Sequence, residues 1–86
     1  VIFWANALVI RLDMKRHPLS TRAMKSAGYD PTCSVLEVEH NNNRVEQFLG
    51  VPEQTWQGFL MSHDQEGYFK KHIANSFFKV VVGYSA

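Results

Sequence analysis

Two six-residue runs separated by three asparagines constrain this chain more than any other feature. Val35-Leu36-Glu37-Val38-Glu39-His40 and Arg44-Val45-Glu46-Gln47-Phe48-Leu49 read as two strands, each with residues alternating between its two faces. Asparagine tolerates the positive φ that tight hairpin turns require. Residues 35–49 are therefore expected to form a β-hairpin, and its register follows from the faces. A two-residue turn at Asn42-Asn43 pairs His40 with Val45, Val38 with Gln47 and Leu36 with Leu49. Leu36, Val38, Val45 and Leu49 then share one side, and Glu37, Glu39, Arg44, Glu46 and Phe48 share the other. A three-residue loop would set Glu46 beside Leu36 and Val38 on the apolar side, which favours the shorter turn.

The rest of the chain supplies partners for that hairpin. Residues 1–12 are rich in β-branched and aromatic side chains and read as a strand. Residues 14–18 are mostly polar and basic, and Pro18 predicts an extended connection. Residues 20–27 leave two readings open: Ser20 caps a short helix ending at Gly28, or the segment is a strand feeding the Asp30-Pro31 turn. Pro52 suits a first helical position, and Trp56, Phe59, Leu60 and His63 follow at helical spacing, giving a helix over residues 53–63. Residues 64–67 read as a turn and residues 68–75 as a second short helix with Phe69 and Ile73 on one side. Residues 77–84 return to β character around Val80-Val81-Val82. Trp56, Phe59, Leu60, Phe69 and Ile73 are expected in the core, since stripes at helical spacing normally face a sheet. Eighty-six residues make one domain. The expected fold class is α+β: a small antiparallel sheet of four to five strands with two short helices packed on one face.

Charge and cysteine content narrow the function classes. Nine Lys and Arg against eight Asp and Glu give a net charge of +1. That balance is not the clustered basic footprint of a nucleic-acid binder, and it offers little protection against self-association. Cys33 is the single cysteine, so no intrachain disulfide forms and a reducing compartment is expected. The apolar run over residues 1–10 is too short to span a bilayer and is interrupted by Asn6. The expectation is a cytoplasmic protein with no membrane contact.

No catalytic constellation stands out. Cys33 falls in the turn after Pro31, without a basic neighbour in sequence to activate it. His63 and His72 match neither an i, i+4 helical pair nor a common zinc arrangement; His63 is expected at the border of the core and His72 in solvent. Glu37 and Glu39 share a strand face and read as its solvated side. No catalytic residue, metal ligand or cofactor is assigned, and the chain is expected not to be an enzyme. Lys15, Arg16, Arg22, Lys25, Lys70 and Lys71 are the candidate basic patch. Phe3, Trp4, Leu8, Ile10, Phe78, Val80 and Val82 lie on apolar terminal strands that would be sticky edges if left unpaired. The two strands can pair with each other or with the same strands of a second copy, and they are the candidate oligomer contacts of an expected homodimer.

Several short motifs occur in one order: Leu19-Ser20-Thr21, Met24, Gly28-Tyr29-Asp30, the Leu36 to Glu39 strand, Gly50-Val51-Pro52, and then Gly67-Tyr68-Phe69 with Ile73. Residues 19–77 with these motifs resemble the KTSC domain, a small module named for the C-terminus of some lysyl-tRNA synthetases. The resemblance implies a strand for residues 20–27. It implies no reaction, and RNA is the partner it suggests. One departure bears on that partner. The family carries Tyr-x-Tyr before Gly-Val-Pro, whereas this chain has Glu46-Gln47-Phe48. On the register above, Glu37, Glu39, Arg44, Glu46 and Phe48 form an acidic contact face, which suits phosphate poorly because single-strand sites set aromatics among cations. The leading expectation is a non-enzymatic interaction or assembly module, self-associating through its terminal strands, with its protein partner unassigned. An RNA-binding accessory domain is the alternative, and a small-molecule domain with a closed apolar pocket between helix and sheet the third.

Overall fold

Alternating polarity and short turns lay the middle of the chain out as an antiparallel meander. The structure, a computed structural model, describes residues 15–84. The strand expected at residues 1–12, with Phe3, Trp4, Leu8 and Ile10, lies outside the described residues. The strands are β1 (Arg16–Pro18), β2 (Met24–Asp30), β3 (Val35–His40), β4 (Arg44–Leu49) and β5 (Phe78–Tyr84). Helices α1 (Glu53–Met61) and α2 (Gln65–His72) connect β4 to β5. The sheet order is β1-β2-β3-β4-β5, with every neighbouring pair antiparallel. The expected α+β class holds, with five strands.

Before the hairpin, one segment differs from expectation, and at residues 20–27 the structure decides for the strand reading that the resemblance implied. Residues 16–18 are strand rather than connection, with Arg16 opposite Gly28, His17 opposite Ala27 and Pro18 opposite Ser26. Pro18 is accommodated because β1 is an edge among the described strands, where a missing N–H goes undemanded. Ser20 caps no helix. Thr21 Oγ1 instead accepts from the Ala23 and Met24 amides at 3.1 and 2.9 Å, a hydroxyl-closed turn that feeds β2.

The β3–β4 hairpin forms in the place expected, but its register is shifted by one residue. Leu36 stands opposite Phe48, Glu37 opposite Gln47, Val38 opposite Glu46 and Glu39 opposite Val45. The loop is Asn41-Asn42-Asn43. The Asn43 amide donates to the His40 carbonyl at 2.9 Å, Asn43 has φ 71°, and Asn42 Oδ1 accepts from the Arg44 amide at 2.9 Å. This is the three-residue hairpin loop, a tight turn followed by a left-handed residue. The shift exchanges the faces of β4. Phe48 enters the core and is fully buried, while Val45 and Leu49 turn to the opposite side of the sheet with Gln47. Glu46 follows Phe48 inward.

Both helices cover the face that carries Ala27, Tyr29, Leu36, Val38 and Phe48. Trp56 of α1 stacks on Tyr29 at 5.6 Å and meets His17 edge-on. Phe69 of α2 meets Phe48 edge-on at 5.4 Å. Trp56, Phe59, Phe69 and Ile73 are buried as expected, and Leu60 packs at the margin. Helix α1 ends at Met61, two residues early, because Ser62 is extended at φ −69° and ψ 139°. Pro52 is its N-cap rather than its first turn. Helix α2 begins at Gln65 because the Asp64 side chain accepts from the Gly67 amide at 3.0 Å, an N-cap that turns the expected loop into the first helical turn.

The register makes two side chains decisive. Phe48→Ala is expected to lose about 3–5 kcal/mol in urea denaturation. Asn43→Gly should stay within a few tenths of wild type, while Asn43→Val should cost roughly 1 kcal/mol or more for its positive φ.

Candidate functional site

A polar network occupies the sheet face away from the helices. Arg16, Gly28 and Glu37 lie in one row across β1, β2 and β3. Gly28 has no side chain, so the Arg16 guanidinium lies across β2 and reaches Glu37 directly. Arg16 Nη1 also donates to Ser26 Oγ at 3.0 Å and approaches Glu39 Oε1 at 3.5 Å. Ser26 Oγ donates to Glu39 Oε1 at 2.9 Å, and Gln47 Nε2 donates to Glu37 Oε1 at 2.9 Å. Glu37 is 4% exposed and Gln47 1%. The expected solvated pair is therefore a buried and a half-buried carboxylate built into a network, which is how a charge is retained inside a fold.

A second cluster lies on the helix side of β3 and β4. Glu46, 2% exposed, takes His40 Nε2 on Oε1 at 2.8 Å. Its Oε2 is 3.0 Å from Arg44 Nη2 and 3.6 Å from Lys79 Nζ. His40 in turn packs edge-on against Phe69 at 6.0 Å. The five residues expected on one contact face are thus divided. Glu37 and Glu39 are on one side of the sheet; Arg44, Glu46 and Phe48 are on the other. There is no common acidic surface of the kind the shorter turn implied.

The candidate basic residues are dispersed, and three of the six are engaged. Arg16 belongs to the network above, Lys25 donates to Asn43 Oδ1, and Lys70 pairs with Glu66 at 3.4 Å one helical turn away. Lys15, Arg22 and Lys71 are exposed. His72 is exposed as expected; His63 is exposed too, not at the core border. His63 and Arg22 line an open cleft of about 250 Å³ between residues 20–22 and 63–66. That cleft is polar and lies between loops, unlike an apolar pocket between helix and sheet. Among the described residues no group of three or more His, Cys, Asp and Glu is arranged to hold a metal. No described helix is long and apolar enough to cross a membrane.

Cys33 is exposed, and its thiol donates to Asp30 Oδ2 at 3.4 Å, an acid rather than a base. The Thr32 amide donates to Asp30 Oδ1 at 2.9 Å. That amide, helped by the Cys33 thiol and amide, holds the Asp30 carboxyl below the usual aspartate range.

Apolar exposure is concentrated in β5. Of the four exposed large hydrophobic residues described, three are Phe78 (69%), Val81 (48%) and Tyr84 (70%). Val80 and Val82, also expected contacts, are half-buried. Among the described strands β5 has a neighbour on one side alone, β4.

The sequence profile of the KTSC domain matches residues 20–77. The chain belongs to this family. A solved structure of a KTSC domain protein, YPO2434 from Yersinia pestis, is similar with a TM-score of 0.78 and 33% identity, covering 81% of this chain and 99% of the other. An uncharacterized protein of Stutzerimonas stutzeri strain A1501 is 36% identical over 47 residues, 55% of this chain. The match spans 66% of that relative's length. The KTSC pattern accounts for the strand rather than helix before Gly28-Tyr29-Asp30. Tyr29 of that motif donates from its hydroxyl to the Val51 carbonyl at 2.6 Å, so two KTSC motifs bind each other: the tyrosine of the first fixes the backbone of Gly50-Val51-Pro52.

Sequence reasoning missed the Arg16–Glu37 link and the His40–Glu46 pair. The first had a legible signal in Gly28, a strand glycine where another group crosses the backbone. Two measurements follow. Arg16→Met should lose about 1–3 kcal/mol, less than a wholly buried pair because Arg16 is part-exposed, and adding Glu37→Met should recover most of it. The Asp30 carboxyl should titrate by NMR below the ordinary aspartate midpoint. Because its folded value is depressed, its stabilising contribution is present above the ordinary range and lost as pH falls through the folded value.

Proposed function

We propose that this KTSC domain is a non-enzymatic, cytoplasmic assembly module whose contact element is β5. The observation that carries this reading is the concentration of exposed apolar side chains on one edge strand. Soluble proteins usually blunt such an edge with proline, repeated charge or a short strand. β5 has seven residues, no proline and one charge, Lys79, which turns back to Glu46. The ring contacts of α1 and α2 reach His17, Tyr29, His40 and Phe48 on β1, β2, β3 and β4. Val81 and Tyr84, opposite Glu46 and Arg44, extend the same side of the sheet beyond them. The burial of Glu37 and Glu46 in ion pairs also supports a non-enzymatic reading, since neither carboxylate is offered to a substrate.

Light scattering on the purified chain at micromolar concentration should give a dimer. Val81→Lys, which sets a second ammonium on the edge, should shift the mass to monomer with circular dichroism unchanged. A monomeric wild type, or a dimer indifferent to Val81→Lys, would overturn the reading.

A further inference from the structure

We infer that the occupant of the β5 edge is the β5 strand of a second copy, antiparallel to the first about a twofold axis at Val80. The inference rests on the assembly reading above and supplies its partner and register. The five described strands of each copy then join into one sheet.

The two edges of the described sheet point to a second copy in this arrangement. β1 is three residues long and contains Pro18, so it makes a poor ladder for an incoming strand. Head-to-tail addition of β5 to β1 would have to use that edge and would leave a further β5 open, the geometry of fibres rather than closed assemblies. Pairing β5 with itself consumes the long edge in both copies and stops growth. Charge permits the approach. The chain carries a net +1, and Lys79 is drawn to Glu46 Oε2 of its own copy at 3.6 Å.

Side-chain parity then fixes the register. Lys79 and Val81 stand opposite Phe48 and Glu46, on the helix side of the sheet. Phe78 and Val80 stand opposite Leu49 and Gln47, on the other side. A twofold axis normal to a continuous sheet keeps both sets of helices on one side, so residues facing each other across it must have like faces. One residue therefore faces its own copy, with the axis midway between the two. At Lys79 it would set two ammonium groups directly opposite, which is destabilising. At Val81 it would bring Phe78 opposite Tyr84. The irregularity between Val45 and Glu46 puts Tyr84 on the helix side, opposite Arg44, so those faces disagree. At Val80 the valine meets its own copy, and Lys79 meets Val81, a pair of like face. Val80 is also half-buried between the exposed Lys79 and Val81, which suits the centre of a strand pair.

The test is oxidative crosslinking of single cysteines in a Cys33→Ser background. Directly opposed residues bring their Cβ atoms to about 4.5–5.5 Å, close enough for a disulfide after a small adjustment. Val80→Cys should crosslink to a covalent dimer about tenfold faster than Lys79→Cys or Val81→Cys, whose own copies lie two residues off register. Dimers by light scattering in which Lys79→Cys or Val81→Cys crosslinks fastest would overturn the register while leaving the assembly reading intact. Monomers with exchange-protected β5 amides would show the edge taken by the chain's own residues, and would overturn both.

Discussion

Phe48 packing against Phe69 is the contact on which the arrangement of the sheet depends. β4 presents two alternating sets, Arg44-Glu46-Phe48 and Val45-Gln47-Leu49, and the hairpin must send one of them under the helices. By count of apolar residues the second set wins. The ring wins in the fold, because burying a phenylalanine is worth about 1.5–3 kcal/mol and aromatic contacts add to it. Phe48 stands opposite Leu36 and meets the Phe69 ring of α2 edge-on at 5.4 Å. Glu46 is carried inward as a consequence. A carboxylate at that depth is stable where cations and donors surround it, and His40, Arg44 and Lys79 supply them from β3, β4 and β5.

This ion cluster recasts what the family departure means. Glu46 stands where the KTSC pattern carries an aromatic, and on an outer face that exchange would have reversed the charge of a contact surface. The structure places Glu46 inside, against His40 and beside α2. The exchange alters how β3, β4 and β5 are held together. It does not create an acidic surface, so it gives no electrostatic argument about RNA. The outward-facing consequence lies next door: Lys79 turns back to Glu46, and Phe78, Val81 and Tyr84 are the exposed large hydrophobic residues of β5.

Much of this fold was legible. The hairpin, both helices, the last strand and the helix aromatics Trp56, Phe59 and Phe69 follow from alternation, helical spacing and Pro52. Three features were not, each for a physical reason. The one-residue register depended on weighing one large ring against a buried charge, which face-counting treats as equal votes. The β1 strand was hidden by a basic, proline-ended segment whose pairing comes from Arg16 reaching over Gly28 to Glu37, a contact twenty-one residues apart in sequence. The start of α2 depended on the Asp64 cap, which reads as a turn when the helix behind it is polar. For the candidate site, β5 was visible as an apolar strand. The separation of Glu37 and Glu39 from Glu46 and Phe48 was not, because it rests on the register.

The register is tested most directly by nuclear Overhauser contacts in the isotopically labelled protein. The account predicts cross-peaks from the Phe48 ring to Leu36 and to the Phe69 ring, with Leu49 showing none to Phe69. Cross-peaks from Leu49 to Leu36 and Phe69, with Phe48 facing the other side of the sheet, would contradict it.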